Sequence, residues 1–399
     1  MYKLYCRTYQ FILKMVAYFL PWRKPELLEG EGSLRKLPAS MKRRGIKRVL
    51  IVTDKGITTI GLMNRMKAGL EAAGIHYFIY DRTVPNPTID NIEEALEMYH
   101  DNQCGGIIAF GGGSPMDCAK GVAARITRPK KQVPQLKGIL KVRKKIPPLF
   151  AVPTTSGTGS EATLAAVISN PSTHEKYAIN DPSLIPHVAV LDPLLTVKLP
   201  RHITSTTGMD ALTHAIEAYI GNSNTEETRE CSREAVQLIF DNLYEAYING
   251  SNLTARKNMQ KAAYLAGIAF TRAYVGYVHA IAHTLGGFYN VPHGLANAVI
   301  LPYVLEYYGK SAHKPLAELA DEAGISDASD STEEKANKLI EAIKKLNEDM
   351  DIPTKISGIN EKDLPVMVER AFKEANPFYP VPKILGNEDL LKLYKMIME

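Results

Sequence analysis

Short apolar runs rich in β-branched residues recur through the first half of the chain, and segments with helical spacing separate them. Residues 48–53, 76–80 and 105–110 are such runs, and residues 62–73 and 89–100 between them have helical periodicity. Strands that alternate with helices indicate a parallel sheet covered on both faces. We therefore predict a Rossmann-like α/β unit, with further strands at residues 147–152 and 188–192.

From Pro200 onward the β-rich runs disappear, and helical periodicity dominates, as in residues 226–249, 255–273 and 332–350. The length of 399 residues is enough for two or three domains. We predict an all-α C-terminal domain behind the α/β domain. The expected boundaries are a helical extension at 1–24, an α/β domain at 25–199 and a helical domain at 200–399.

Composition excludes several classes of protein. A net charge of +5 is modest, and the basic stretch 128–145 lacks interleaved aromatics, so it predicts a solvated surface loop and no nucleic-acid partner. The cysteines form no Cys-x-x-Cys pair, which argues against a disulfide framework and a thiolate zinc site. A reducing, cytoplasmic setting is expected for the four cysteines, Cys6, Cys104, Cys118 and Cys231.

The first 20 residues are apolar and aromatic, with a narrow polar stripe at helical spacing formed by Lys3, Arg7, Gln10 and Lys14. Lys14 interrupts the apolar run and no small-residue cleavage site follows, which argues against a secretory signal or a membrane-spanning helix. Two interpretations fit this amphipathic helix. It packs on its own domain or a partner subunit, or it is a tether to a membrane surface or a protein shell.

Two polar loops follow predicted strands. Residues 111–115 read Gly-Gly-Gly-Ser-Pro, and Ser114 is a good N-cap for a helix whose N-terminus would suit a pyrophosphate. Residues 153–161 are dense in Thr, Ser and Gly, again after a strand, where ligands bind in open α/β sheets. A plain connecting turn is the alternative for each loop.

Residues 276–294 hold three histidines among small and apolar residues. His279 and His283 are four residues apart and share a helix face, Gly286 and Gly287 are expected to interrupt the helix, and His293 follows. Earlier, Asp210 and His214 have the same spacing. One carboxylate with several imidazoles suits a divalent first-row metal, iron(II) or zinc above all.

With these motifs in place, the chain resembles the iron-containing (group III) alcohol dehydrogenase family from about Pro25 to the C-terminus. Four motifs occur in the family's order: Gly111-Gly112-Gly113-Ser114-x-x-Asp117, Pro153-Thr154-Thr155-x-Gly157-Thr158-x-Ser160-Glu161, Gly208-Met209-Asp210-Ala211-Leu212-x-His214-Ala215-x-Glu217, and the histidine stretch 276–294. The resemblance implies a dinucleotide-binding α/β domain and a helical metal-binding catalytic domain, with the active site in the cleft between them.

By the same resemblance, the metal ligands would be Asp210, His214, His279 and His293, and His283 would be a nearby proton carrier. The implied cofactor-binding residues are Asp54, Asn86, Gly112, Gly113, Ser114, Thr154, Thr155, Thr158 and Lys176. A carboxylate at Asp54 would accept from the ribose 2′-OH and repel a 2′-phosphate, which predicts NAD over NADP. Leu164, Ala165 and Phe270 would line the substrate pocket, and their apolar character favours a small aliphatic alcohol over a polyol.

The implied activity is hydride transfer between an alcohol or its aldehyde and NAD, with Fe²⁺ or Zn²⁺ polarising the substrate oxygen. A homodimer or a higher homo-oligomer is expected. The alternatives are a glycerol-dehydrogenase-like or dehydroquinate-synthase-like relative, against which the Asp/His/His/His set speaks, and a non-catalytic scaffold. A reductase loaded into a bacterial microcompartment or another assembly through residues 1–20 would combine the activity with a targeting role for the extension.

Overall fold

The computed structural model describes residues 1–20, 22–171, 173 and 175–399. The chain divides into two compact units. One is an α/β unit, Pro21–Leu199, and the other is a helical unit that combines Met1–Leu20 with Pro200–Glu399.

The α/β unit is built on a six-stranded, all-parallel sheet with the strand order β1-β9-β6-β4-β2-β3. Its strands are β1 (Glu26–Glu29), β2 (Arg48–Val52), β3 (His76–Tyr80), β4 (Gly106–Gly111), β6 (Leu149–Pro153) and β9 (Val188–Leu191). The predicted strands match these within two residues at each end. The unit's helices are α2 (Leu37–Arg43), α3 (Lys55–Thr59), α4 (Asn64–Ala72), α5 (Ile89–Asp101) and α6 (Gly113–Thr127).

Strand β2 shows why this sheet is covered on both faces. Leu50 and Val52 belong to one buried apolar cluster, and Val49 and Ile51 belong to another. Successive side chains of a strand point to opposite faces, so a run without polar residues fits only a strand buried on both sides.

A smaller sheet, in the order β5-β8-β7, contains β5 (Gly138–Ile139), β7 (Ala165–Asn170) and β8 (Glu175–Asn180). The prediction of a solvated loop at residues 128–145 was wrong in part. Val133, Leu136 and Val142 are fully buried, and a 3-10 turn at Val133–Leu136 precedes β5. The lysines and arginines obscured a minority of apolar residues that join the core.

In the helical unit, α7 (Arg201–Ile220) is buried along most of its length and packs against α8, α9 and α11. The other helices after residue 200 are α8 (Glu226–Ile248), α9 (Leu253–Ala273), α10 (Tyr277–Tyr289), α11 (His293–Tyr308), α12 (Lys310–Glu322), α13 (Thr332–Asp349), α14 (Leu364–Ala375) and α15 (Asn387–Ile397). The expected interruption at Gly286 and Gly287 does not occur. Helix α10 continues to Tyr289 and ends where Asn290 takes a left-handed conformation, with φ of 54°.

The N-terminal helix α1 (Tyr2–Tyr18) packs on the helical unit, and Cys6 is fully buried in that unit's apolar core. Residues 1–20 group with the helical unit, which agrees with the interpretation that this helix packs on its own domain. In the described parts of the chain, no helix has the length and apolar character to cross a bilayer.

Candidate active site

Four side chains from three helices of the helical unit converge on one point. Helix α7 carries Asp210 and His214, α10 carries His279, and His293 is the first residue of α11. One ligand atom from each lies within 4.8 Å of the others. The structure thus brings together all four predicted metal ligands.

The position of Asp210 in its helix bears on its role. Near a helix start a carboxylate is favoured for electrostatic reasons alone. Helix α7 begins at Arg201, so Asp210 lies in mid-helix and is buried, with 2% of its surface exposed. A buried carboxylate needs compensating charge or donors, which favours a ligand role over a helix-terminal one.

Glu217 contacts the cluster through one of its members, His279. Its Oε2 accepts from His279 Nδ1 at 2.6 Å and from the Gly276 backbone N–H at 2.8 Å, and its Oε1 accepts from Val278 N–H at 2.9 Å. With the Nδ1 proton donated to Glu217, His279 turns the Nε2 lone pair toward the cluster. Gly276 permits this approach, since a Cβ there would lie 2.6 Å from Glu217 Oε1.

Asn297 gives a test of whether the cluster fits a cation. Its Nδ2 lies 2.6 Å from Asp210 Oδ1 and 3.2 Å from both His279 Nε2 and His293 Nε2. An amide nitrogen carries two hydrogens and cannot donate to three acceptors. A divalent cation interacts with all these atoms at once, and one carboxylate oxygen with imidazole nitrogens is a donor set that first-row metals accept. The residues fit a metal.

His283 stands beside the cluster but is not one of its four members. Its ring stacks on the His293 ring with centroids 5.3 Å apart, and its Nδ1 lies 2.6 Å from Glu374 Oε1. Glu374 also accepts from the Tyr379 hydroxyl at 2.8 Å. The side chain of Glu374 is 27% exposed, so this chain of polar groups leads from the cluster to solvent.

The three predicted substrate-pocket residues fall in different units. In the helical unit, the Phe270 ring stacks on His214 with centroids 4.1 Å apart and an interplanar angle of 14°. This contact puts an apolar ring directly against a ligand of the cluster. In the α/β unit, Leu164 precedes β7, and Ala165 is the first residue of that strand.

All the predicted cofactor residues except Asn86 and Lys176 follow the carboxyl ends of three neighbouring strands. Asp54 follows β2, Gly112 follows β4, and Thr154 follows β6. The β4 and β6 loops touch, because a Cβ on Gly113 would lie 2.8 Å from Thr158 Cγ2, and one on Gly112 would lie 3.4 Å from Thr155. Ligands bind at this edge in open parallel sheets.

Ser114 has a different role from the predicted N-cap. Helix α6 begins at Gly113, with Gly112 as its N-cap, two residues before the predicted cap. The Ser114 hydroxyl instead accepts from the Asn86 backbone N–H at 3.2 Å, and Asn86 Oδ1 accepts from Lys176 Nζ at 2.9 Å. Three predicted cofactor residues are thereby linked beside the α6 N-terminus, where backbone N–H groups favour an anion.

Asp54 is an N-cap as well as a strand-end carboxylate. Its Oδ1 accepts from the Ile57 N–H at 3.0 Å and starts α3. Its Oδ2 points toward the β4 loop, 3.6 Å from where a Gly111 Cβ would stand. One oxygen is thus fixed by the backbone while the other lies at the glycine-rich loop.

Sequence reasoning gave no role to Lys120, which lies fully buried on α6. Its ammonium lies within hydrogen-bond distance of four oxygens: Ser160 Oγ at 2.9 Å, Thr163 O and Oγ1 at 2.9 and 2.8 Å, and Ala165 O at 2.9 Å. Burial lowers the pKa of Lys120 to about 8, and raises those of the neighbouring Asp117 to about 6 and Glu161 to about 7. The lysine ties the segment after Thr158 to α6. The available signal was a lysine within residues 118–124, a run that otherwise has no charged side chain.

Comparison with known proteins decides the family. The model of the family described as iron-containing alcohol dehydrogenase matches residues 25–193, and that of the C-terminal domain of the same family matches residues 204–398. The chain belongs to the iron-containing alcohol dehydrogenase family. It is therefore an iron-type alcohol dehydrogenase, an oxidoreductase of alcohols and aldehydes, as the motifs implied.

Similar members of this family include 1,3-propanediol dehydrogenase of Klebsiella pneumoniae, 42% identical over 86% of this chain and 89% of the relative. Alcohol dehydrogenase 4 of Saccharomyces cerevisiae is 39% identical over 90% of this chain and 93% of the relative. The crystal structure of an alcohol dehydrogenase from Oenococcus oeni superposes with a TM-score of 0.90 at 38% identity, covering 94% of this chain and all of that one. The predicted combination of a Rossmann-like α/β domain and a helical domain is confirmed.

Proposed function

We propose that this alcohol dehydrogenase uses iron(II) and NAD(H) to interconvert small primary aliphatic alcohols and their aldehydes. The observation that carries the proposal is the cluster of Asp210, His214, His279 and His293, with ligand atoms within 4.8 Å of one another. When bound, the metal supplies a Lewis acid for the substrate oxygen, and the nicotinamide accepts or returns the hydride.

The chain's own residues have three tasks around that chemistry. Glu217 holds His279 in one orientation and tautomer through its 2.6 Å contact. Phe270, stacked on His214, excludes water from one side of the cluster. Oxidation of an alcohol releases a proton as well as a hydride, and His283 with Glu374 offers that proton a route outward.

The apolar ring of Phe270 beside the ligands supports an aliphatic substrate, since this side chain offers no hydrogen-bond partner to extra hydroxyls. The relative from Klebsiella pneumoniae carries the name of a 1,3-propanediol dehydrogenase. We infer that three-carbon alcohols and aldehydes are the first substrates to assay.

Removal of the metal tests the proposal directly. Protein stripped with a chelator is expected to lose turnover of propanol and 1,3-propanediol with NAD, and iron(II) is expected to restore more of it than zinc(II). Metal content, measured by elemental analysis, should follow the restored rate. Full turnover by the metal-free protein would contradict the metal's role, and a higher rate with zinc(II) would contradict the choice of iron.

Asp54 tests the choice of nicotinamide cofactor. Asp54→Ser removes the carboxylate that would repel a 2′-phosphate, so the NAD-to-NADP ratio of kcat/KM should fall by about tenfold or more. Asp81→Ser is a matched control, because Asp81 follows the neighbouring strand β3. A wild-type preference for NADP, or an equal fall in the control, would refute the role of Asp54.

A further inference from the structure

Helix α1 packs on the helical unit through polar side chains. Arg7 donates to the carbonyl oxygens of Val381 and Pro382 at 2.7 and 2.8 Å, and Gln10 donates to the carbonyl oxygen of Tyr379 at 2.7 Å. Lys14 donates to the carbonyl oxygen of Asn222 at 3.1 Å. A surface helix of a water-soluble domain ordinarily buries its apolar stripe and exposes its polar one. In α1, three members of the polar stripe predicted from the sequence take part in the attachment, together with the buried Cys6.

The opposite face of α1 is apolar and open to solvent. Leu4, Phe11 and Tyr18 are 72%, 64% and 75% exposed. Together with Met15 and Thr8 they follow the spacing of a single helix face, and Thr8 is the one polar member of this stripe. The exposed apolar side chains of the face, with the residue that follows the helix, are Leu4, Tyr5, Phe11, Ile12, Met15, Val16, Tyr18 and Phe19. A contiguous exposed patch of this kind marks an interaction site.

The charge of the segment indicates an anionic partner. The first acidic residue of the chain is Glu26, whereas basic residues occur at Lys3, Arg7 and Lys14 and again just before Glu26. Lys3 and Lys14 are exposed beside the apolar face, and the partner of Lys14 named above is a carbonyl oxygen, which carries no negative charge. A second copy of the chain would bring the same cations to the contact, and like charges oppose such pairing.

Shape and side-chain chemistry favour a lipid surface among anionic partners. A single helix presents a convex ridge, which a bilayer can receive without a complementary groove. Tyr5 and Tyr18 carry amphipathic rings of the kind enriched at the membrane–water interface. We propose that α1 docks the enzyme on an anionic bilayer surface, lying in the plane of the interface with the Leu4–Phe11–Met15 side inserted.

Vesicle flotation of the full-length enzyme tests this proposal. Wild-type protein should float with phosphatidylcholine vesicles that contain phosphatidylserine, and far less with phosphatidylcholine alone or in high salt. The combined variant Leu4→Gln, Phe11→Gln, Met15→Gln should bind the anionic vesicles about tenfold more weakly or worse, since it removes the inserted apolar area. Its alcohol dehydrogenase turnover should match the wild type, because these residues lie outside the proposed catalytic groups.

A second triple variant controls for the general loss of exposed apolar surface. Ile139→Gln, Ile248→Gln, Val366→Gln removes side chains that are 39%, 43% and 45% exposed elsewhere, and it should float like the wild type. Equal flotation of both triple variants, or equal binding to neutral and anionic vesicles, would overturn the proposal. So would an α1-dependent increase in molar mass by light scattering without vesicle binding, which would assign the face to a second copy.

Discussion

Two histidines of α10, His279 and His283, lie one helical turn apart, and each has a carboxylate oxygen 2.6 Å from its Nδ1. Taken alone, the two histidine–carboxylate contacts have the same length. Their surroundings differ. The side chains of His279 and Glu217 are 3% and 2% exposed, and those of His283 and Glu374 are 17% and 27% exposed.

The two carboxylates also differ in how firmly they are held. Glu217 accepts from two backbone N–H groups at the start of α10 in addition to the histidine. Besides its histidine, Glu374 accepts from one side-chain donor, the Tyr379 hydroxyl. A dry, multiply bonded carboxylate fixes a ring in one orientation. A partly exposed one can exchange a proton with water. We therefore propose that the same pair of residue types serves positioning in one place and proton movement in the other.

The largest expected contrast is between the two histidines themselves. His279→Ala removes a metal ligand and should weaken metal binding by more than about a hundredfold, since loss of a residue merely supporting a ligand costs about ten- to a hundredfold. His283→Ala should keep its metal and lose turnover. Elemental analysis after dialysis, with steady-state rates on the same samples, measures both. Loss of metal from His283→Ala would place His283 among the ligands, and the proposed difference in role between the two histidines would be wrong.

The carboxylates give the next contrast. Glu217→Gln keeps the shape but loses the charge and one of the acceptor oxygens, so metal affinity should fall by about ten- to a hundredfold. Glu374→Gln is the matched control on the other histidine, and its metal affinity should stay within a few-fold of the wild type. Competition against a chromophoric chelator measures both affinities.

Glu217→Gln is also expected to lower the stability of the metal-free protein, because hydrogen bonds to a charged group contribute about 1.5–3 kcal/mol each. Urea unfolding of metal-free samples separates this effect from metal binding. An unchanged metal affinity with reduced stability would make Glu217 a structural clamp for the N-terminus of α10 and nothing more.

Part of this arrangement could be predicted from sequence. The strands of the six-stranded sheet other than β1 were predictable because buried parallel strands contain nearly continuous apolar runs, as in residues 49–52 of β2. The i, i+4 spacing singled out Asp210 with His214 and His279 with His283, and the family's motifs added His293 as a ligand and set His283 apart from the ligands. Both are local signals, carried by a few neighbouring residues.

The rest depends on contacts between distant parts of the chain. Glu374 meets His283 across 91 residues, and Asn297 meets Asp210 across 87, and no local pattern predicts such pairs. Glu217 was more accessible to reasoning, since it lies on the same helix as Asp210 and His214 at a spacing that shares their face. The orientation of α1 could not be predicted from sequence either. An amphipathic pattern defines two faces of a helix but does not show which face packs on the rest of the unit.

Tyr379 offers the smallest and most discriminating test of the comparison. Tyr379→Phe removes the hydroxyl that donates to Glu374 at 2.8 Å and leaves the contact between Glu374 and His283 in place. One such hydrogen bond contributes about 0.5–1.5 kcal/mol, so kcat should fall by no more than about tenfold while metal content stays at the wild-type level. Tyr303→Phe is the control, because the Tyr303 hydroxyl donates to the carbonyl oxygen of Thr354. If Tyr379→Phe lost metal as Glu217→Gln is expected to, the hydroxyl would be supporting the ligands. The two histidine–carboxylate pairs would then form one coupled network, and the division between positioning and proton movement would no longer hold.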